Sequence, residues 1–250
     1  MGRLRAAFED FGELIFFAGE VLAWTFRPPF RFALVIGQMA AIGVGSVMIV
    51  GITGTFTGMV LALQTYYAMR QLGAEGLVGG SVAIALAREL SPVLTALMIV
   101  GRSGSAITTE LGTMRVTEQI DAMETMAVNP VQYLVVPRVL AAIVVFPLLT
   151  MLFNVLGYAG GYAMGVGVSG IPAGPFIEHT RSFVDHKDII SGLVKAVFFG
   201  AVVAIITCYR GYRATGGARG VGEGTTSAVV MSSIGILVVD YLITLISVGS

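Results

Sequence analysis

Two long stretches of the chain, Phe32 to Met69 and Val139 to Ile177, contain no Lys, Arg, Asp or Glu. A helix needs only about 20 apolar residues to cross a bilayer, so each stretch predicts a membrane span. Three further apolar segments carry isolated charges: Leu77 to Gly101 around Arg88 and Glu89, Ile189 to Tyr209 around Lys195, and Ser227 to Val248 around Asp240. Backbone in lipid must satisfy its own hydrogen bonds, and the alternating segments of roughly ten residues that build a membrane β-barrel are absent. The pattern therefore predicts an all-α polytopic membrane protein with about five transmembrane helices. Ahead of them FGELIFFAGEVLAWTF, residues 11 to 26, is interrupted by Glu13 and Glu20 and reads as an amphipathic helix. Phe16, Phe17, Leu22, Trp24 and Phe26 are expected to bury in the headgroup boundary with the acids in water, packing on the bundle being the alternative. Residues 1–31 thus form an N-terminal cytoplasmic or interfacial unit, and residues 32–250 the transmembrane domain.

Between the second and third spans, VTEQIDAMETMAVNP predicts a short helix over residues 116–127. Val116, Ile120, Met123 and Ala127 recur at helical spacing, Thr117, Asp121 and Glu124 occupy another face, and Asn129 with Pro130 ends the helix. Its acids, with no base among them, suit an anionic bilayer poorly and point to a protein partner with a groove for the apolar ridge.

Composition agrees with a membrane protein: 56% of residues are hydrophobic, 12% charged, and the mean hydropathy is +0.87. With the N-terminus inside, ten basic residues fall on the cytoplasmic side (Arg3, Arg5, Arg27, Arg31, Arg102, Arg115, Arg138, Arg210, Arg213 and Arg219) against three outside (Arg70, Arg181 and Lys187). That asymmetry sets a cytoplasmic N-terminus and a periplasmic C-terminus at Ser250. A net charge of zero gives no reason to expect nucleic acid, and the single Cys208 excludes an intrachain disulfide. His179 and His186, with Glu178, Asp185 and Asp188, read as a solvated outer loop in preference to a metal site. A phosphate-binding loop needs Gly before Lys, whereas the only two lysines follow His186 and Val194, so the chain carries no Walker motif. GGARGVGEG, residues 216–224, is expected to be a flexible cytoplasmic loop.

Charge at span depth is costly and usually functional. Consecutive residues on an α-helix point about 100° apart, so Arg88 and Glu89 each require a partner elsewhere. Glu89 is expected to bond Lys195 or a helix backbone and tie the second span to the fourth, or else the cations serve an anionic ligand. Such charges would also suit a proton- or ion-coupled secondary transporter, although no inverted repeat is visible. Gly54 and Gly58, and Gly157, Gly161 and Gly165, have the spacing of close helix packing, within the chain or between two copies.

The sequence resembles the MlaE/YrbE permeases, membrane subunits of ABC transporters that work with MCE-domain lipid-binding proteins. The likeness rests on GMVLALQ at 58–64, RELSPVLTALMIVGRSGSAITTELGTMRVTEQIDAMETMAVNP at 88–130 and YLVVPR at 133–138. It continues more weakly through LVKAVFFG at 193–200 and TTSAVVMSSIGILVVDYLIT at 225–244. This resemblance implies a homodimer in the bacterial inner membrane that binds a cytoplasmic ABC ATPase subunit. It implies transport of phospholipid or a related lipid to or from a periplasmic MCE-domain protein, with no cofactor on this chain because ATP and Mg belong to the partner. The helix at 116–127 then corresponds to a coupling helix, with Glu118, Asp121, Met123 and Glu124 as ATPase contacts. Leu61 and Gln64 are expected to line the lipid cavity, and Arg88, Glu89, Lys195 and Asp240 to serve lipid binding or transport.

Overall fold

The computed structural model describes residues 2–29 and 31–248, so the terminal Ser250 lies outside the described residues. These are helical, with no strand among them. Five helices are long and apolar enough to cross a membrane: Phe32–Arg70, Glu75–Val116, Val131–Val168, His186–Tyr212 and Gly217–Ser247, numbered here as spans one to five. Three shorter helices accompany them: an N-terminal helix Gly2–Thr25, a connecting helix Gln119–Thr125 after span two, and a helix Ala173–Phe183 between spans three and four. Only 17% and 11% of the most apolar parts of spans one and five are buried, against 44–50% for the other three, so spans two to four form the centre. Exposed Val44, Met48 and Phe56 on span one and Ile234, Leu237 and Tyr241 on span five give the bundle an apolar exterior, as a lipid-facing surface requires.

Lipid supplies no hydrophobic drive between helices, so close approach depends on small residues. Span one lies along span three at such a seam: a side chain at Gly58 would overlap the Gly157 carbonyl, and one at Gly160 would overlap that of Thr55. The glycine spacings are therefore used inside one chain. Gly200 of span four does the same against span three, where a Cβ would lie 2.7 Å from the Ala142 carbonyl oxygen.

Two expectations change. The glycine-rich run near 216–224 is not a loop, because helix begins at Gly217 and continues unbroken into span five. Only Gly216 and Gly217 adopt left-handed backbone there (φ +84° and +69°), and Val221 packs against Gly112 of span two, which holds the first turns in place. The N-terminal helix divides its apolar residues between two faces. Phe17 and Val21 are buried in the protein, with the Phe17 ring centroid 5.6 Å from that of Tyr209. Phe16, Leu22 and Phe26 point outward. Glu13 is not free in water: it pairs with Arg213, while Asp10 Oδ2 meets Arg210 Nη2 at 2.5 Å.

Candidate functional site

After a 3-10 turn at Glu75–Leu77, span two is α-helical except at two π-helical turns, Leu86–Leu90 and Val100–Gly104. A π turn widens the helix by one residue per turn and often marks a functional position. The first contains both Arg88 and Glu89, and its Ala87 carbonyl lies so close to span four that a side chain at Gly192 would overlap it. Asp188, Gly192 and Lys195 are spaced four and three residues apart, so they share one face of span four. Gly192 thus brings the backbones together, and the charges on either side of it meet.

Lys195 Nζ lies 2.6 Å from Glu89 Oε2 and 2.9 Å from Asp240 Oδ1 of span five, and it donates to Thr244 Oγ1 at 2.8 Å. Its side chain is 2% exposed, and Glu89 and Thr244 accept hydrogen bonds from two of its three N–H groups. The Asp240 contact is an ion pair without hydrogen-bond alignment, which leaves Oδ1 without a donor. Two carboxylates against one ammonium make the cluster net negative and join spans two, four and five. Glu89, at 44% exposure, is its outlet to the surroundings. Lys195 is nine residues beyond His186 and Asp240 eight before Val248, roughly 12 to 14 Å from those helix ends, so the cluster lies about a third of the way along span four.

Arg88 turns the other way. Its Nε and Nη2 both lie 2.6 Å from Asp188 Oδ1, while Asp188 Oδ2 accepts from the Asp185 backbone N–H at 2.9 Å in a capping box that starts span four. Asp188 is 5% exposed on its side chain, so the outer segment is no solvated loop at this point. The pattern Asp185-x-x-Asp188 before an apolar run is the sequence signal for this cap. Arg88 itself remains half exposed. Gly192 and Thr244 have no signal of their own, because the backbone contact of the one and the side-chain hydrogen bond of the other exist only in the folded bundle.

Leu61 and Gln64 do not join this cluster. Span one packs chiefly along span three, and on it Ala62 is buried, Leu61 half-buried and Gln64 exposed.

The connecting helix is shorter than 116–127, because span two runs on to Val116 and Glu118 takes a left-handed turn (φ +59°) ahead of Gln119. Its apolar ridge faces this chain instead of a partner groove: Ile120 is fully buried and Met123 packs on the core. Asp121 Oδ1 lies 2.5 Å from Arg115 Nη1, and Glu124 Oε1 accepts from the Tyr212 hydroxyl at 3.1 Å, so both acids tie the helix to the bundle. Glu118, Gln119, Ala122, Thr125 and Met126 form the outward face, with Met126 73% exposed. Tyr212 belongs to the same end of span four as Tyr209, Arg210 and Arg213, so that end holds both the N-terminal and the connecting helix. Beside it, Arg138 Nη2 of span three pairs with Glu110 Oε2 of span two at 2.8 Å.

A bundle of five spanning helices, with a three-span ion cluster set in its interior and a short polar-edged helix between spans, defines a multi-pass membrane transport protein. The family model described as "Permease MlaE" matches residues 35–246, and the chain belongs to this family. It is 44% identical over 236 residues to a probable ABC transporter permease protein of Rickettsia bellii, covering 94% of this chain and 91% of that one. It is 39% identical over 249 residues to the intermembrane phospholipid transport system permease protein MlaE of Haemophilus influenzae, covering 98% and 92%. The chloroplastic protein TRIGALACTOSYLDIACYLGLYCEROL 1 of Arabidopsis thaliana is 37% identical over 226 residues, covering 90% and 65%.

Proposed function

We propose that this chain is the membrane subunit of an ABC transporter that moves phospholipid between the bacterial inner membrane and a periplasmic MCE-domain protein. A separate cytoplasmic subunit binds ATP and Mg and hydrolyses the nucleotide. Family membership and the likeness to the Haemophilus influenzae intermembrane phospholipid transport permease support the reading. The observation that carries it is the buried Lys195 held between Glu89 and Asp240. A bundle built only to stay folded gains little from such a cluster, since replacing buried ion pairs by apolar residues is often neutral or stabilising. An ammonium in that position can exchange a carboxylate for a lipid phosphate, which offers charge-assisted hydrogen bonds of the same kind. Arg88, half exposed and held by Asp188, adds a second cation near the outer end of the path.

The functional unit is a homodimer in which the thinly covered spans one and five meet a second copy and enclose the lipid, with Leu61 and Gln64 on the cavity wall. The N-terminal unit, residues 1–31, lies at the cytoplasmic surface with its helix Gly2–Thr25 interfacial and the outward Phe16, Leu22 and Phe26 in the headgroup boundary, and residues 32–250 form the permease domain. The ATPase docks on the outward face of the connecting helix around Glu118, Gln119 and Met126, while Asp121, Met123 and Glu124 transmit its movement into the bundle. The basic asymmetry puts the N-terminus in the cytoplasm and the C-terminus in the periplasm.

Affinity purification of the full-length chain from native membranes tests the assembly. An ATPase in equal copy number and retained phospholipid are expected; a chain that elutes without either is not this permease.

A further inference from the structure

At the end of the bundle away from Lys195, the N-terminal helix and the starts of spans one and three line a cleft of about 110 Å³. Trp24, Arg27, Arg31, Phe32 and Gln132 are among its walls. Arg31 is the last charge before the uncharged run that opens span one, so the cleft lies at the level where headgroups give way to acyl chains. The Arg27 guanidinium carbon sits 5.0 Å from the Trp24 ring centroid, and that of Arg31 4.5 Å from the Tyr133 ring centroid. Stacking on a ring face fixes a guanidinium without consuming its in-plane N–H donors. Gln132 Nε2 donates to the Arg27 carbonyl at 2.8 Å and ties this corner to span three.

Several arginines meet acids, as in Arg138 with Glu110 and Arg210 with Asp10, whereas Arg102 donates to the Ser103 hydroxyl. Among the described residues no carboxylate lies within ion-pair distance of Arg27 or Arg31, although both are exposed and oriented. Phe26 and Phe32, 75% and 72% exposed, present apolar surface beside them. Two unpaired forks, an aromatic wall and flanking phenyl groups at one bilayer level match a phosphate oxyanion attached to acyl chains.

We propose that this cleft binds the headgroup of an anionic phospholipid from the adjoining leaflet, with its phosphate on Arg27 and Arg31 and its chains against Phe26 and Phe32. The site is separate from the lipid path around Lys195, and its occupant pins the N-terminal helix to span one. Native mass spectrometry of the full-length protein in detergent, titrated with phosphatidylglycerol and with phosphatidylcholine of the same chains, tests this. Each arginine near a membrane surface contributes about fivefold, so the wild-type chain should prefer phosphatidylglycerol by roughly thirtyfold. Arg27→Ala with Arg31→Ala should reduce that preference to about twofold or less, and Arg31→Gln alone should lower it about fivefold. Arg219→Ala, an exposed arginine of span five that does not line the cleft, should leave it unchanged, and inorganic phosphate should not displace the lipid. An undiminished preference in the Arg27 and Arg31 variants overturns the proposal, as does an equal loss in Arg219→Ala. Displacement by phosphate would make the cleft a free-anion site. Loss of a co-purifying ATPase with lipid preference intact would make it a protein contact, and either result ends the lipid assignment.

Discussion

Lys195→Met removes the ammonium that faces Glu89 and Asp240 while keeping an unbranched chain of similar length. Two carboxylates then share the space between spans two, four and five without the cation now 2.6 and 2.9 Å away. Removing one partner of a buried ion pair costs about 3–5 kcal/mol. The lower end applies here, because Glu89 is 44% exposed and draws on its surroundings for solvation. Neutralising the whole cluster as Lys195→Met, Glu89→Gln and Asp240→Asn leaves no uncompensated charge, so the triple variant should return to within about 1 kcal/mol of wild type. The two variants separate bracing from transport. Reversible unfolding in mixed micelles, followed by circular dichroism, measures stability, and movement of labelled phospholipid in proteoliposomes containing the ATPase measures transport. The single variant should lose both; the triple variant should recover stability and remain inactive. A single variant as stable as wild type would show that the cluster does not hold the spans, and a triple variant that transports normally would show that its charges only brace them.

Gly192→Leu should drive the Ala87 carbonyl off span four, separate both ion pairs and destabilise the bundle by about 1–3 kcal/mol or more, read in the same unfolding assay. Gly58→Leu should act likewise at the seam of spans one and three, with loss of the folded species on size exclusion. Met126→Asp, on the outward face of the connecting helix, should abolish ATPase co-purification with unchanged stability, whereas Ile120→Asp should destabilise the chain itself because that residue is fully buried. Cys208 is buried and silent to impermeant thiol reagents, so single cysteines report topology directly: Arg181→Cys should label from outside intact spheroplasts and Gln119→Cys only after lysis.

The spans were legible because absence of charge over twenty or more residues is a constraint that bundle packing does not override, as Phe32–Arg70 illustrates. Their ends were less so. Glycines near 216–224 have low helix propensity, yet tertiary contact through Val221 extends span five across them. The partners of Glu89 followed partly from counting charges at span depth, since Lys195 was among few cations available to it. Asp188 as the partner of Arg88 did not, because Arg88 is re-aimed by a π turn that no side-chain periodicity announces. The connecting helix shows the same limit from the other side. Its amphipathic pattern located a helix correctly, but periodicity cannot say whether Ile120 and Met123 face a partner or the chain's own bundle, and here they face the bundle.

The most direct test of the account is phospholipid movement in proteoliposomes holding this chain, with and without its ATPase. The account predicts movement only when chain, ATPase and hydrolysable ATP are all present, unaffected by collapse of proton or sodium gradients. Gradient-driven transport by the chain alone, with no dependence on ATP, would contradict it and make the Lys195 cluster part of an ion-coupled carrier.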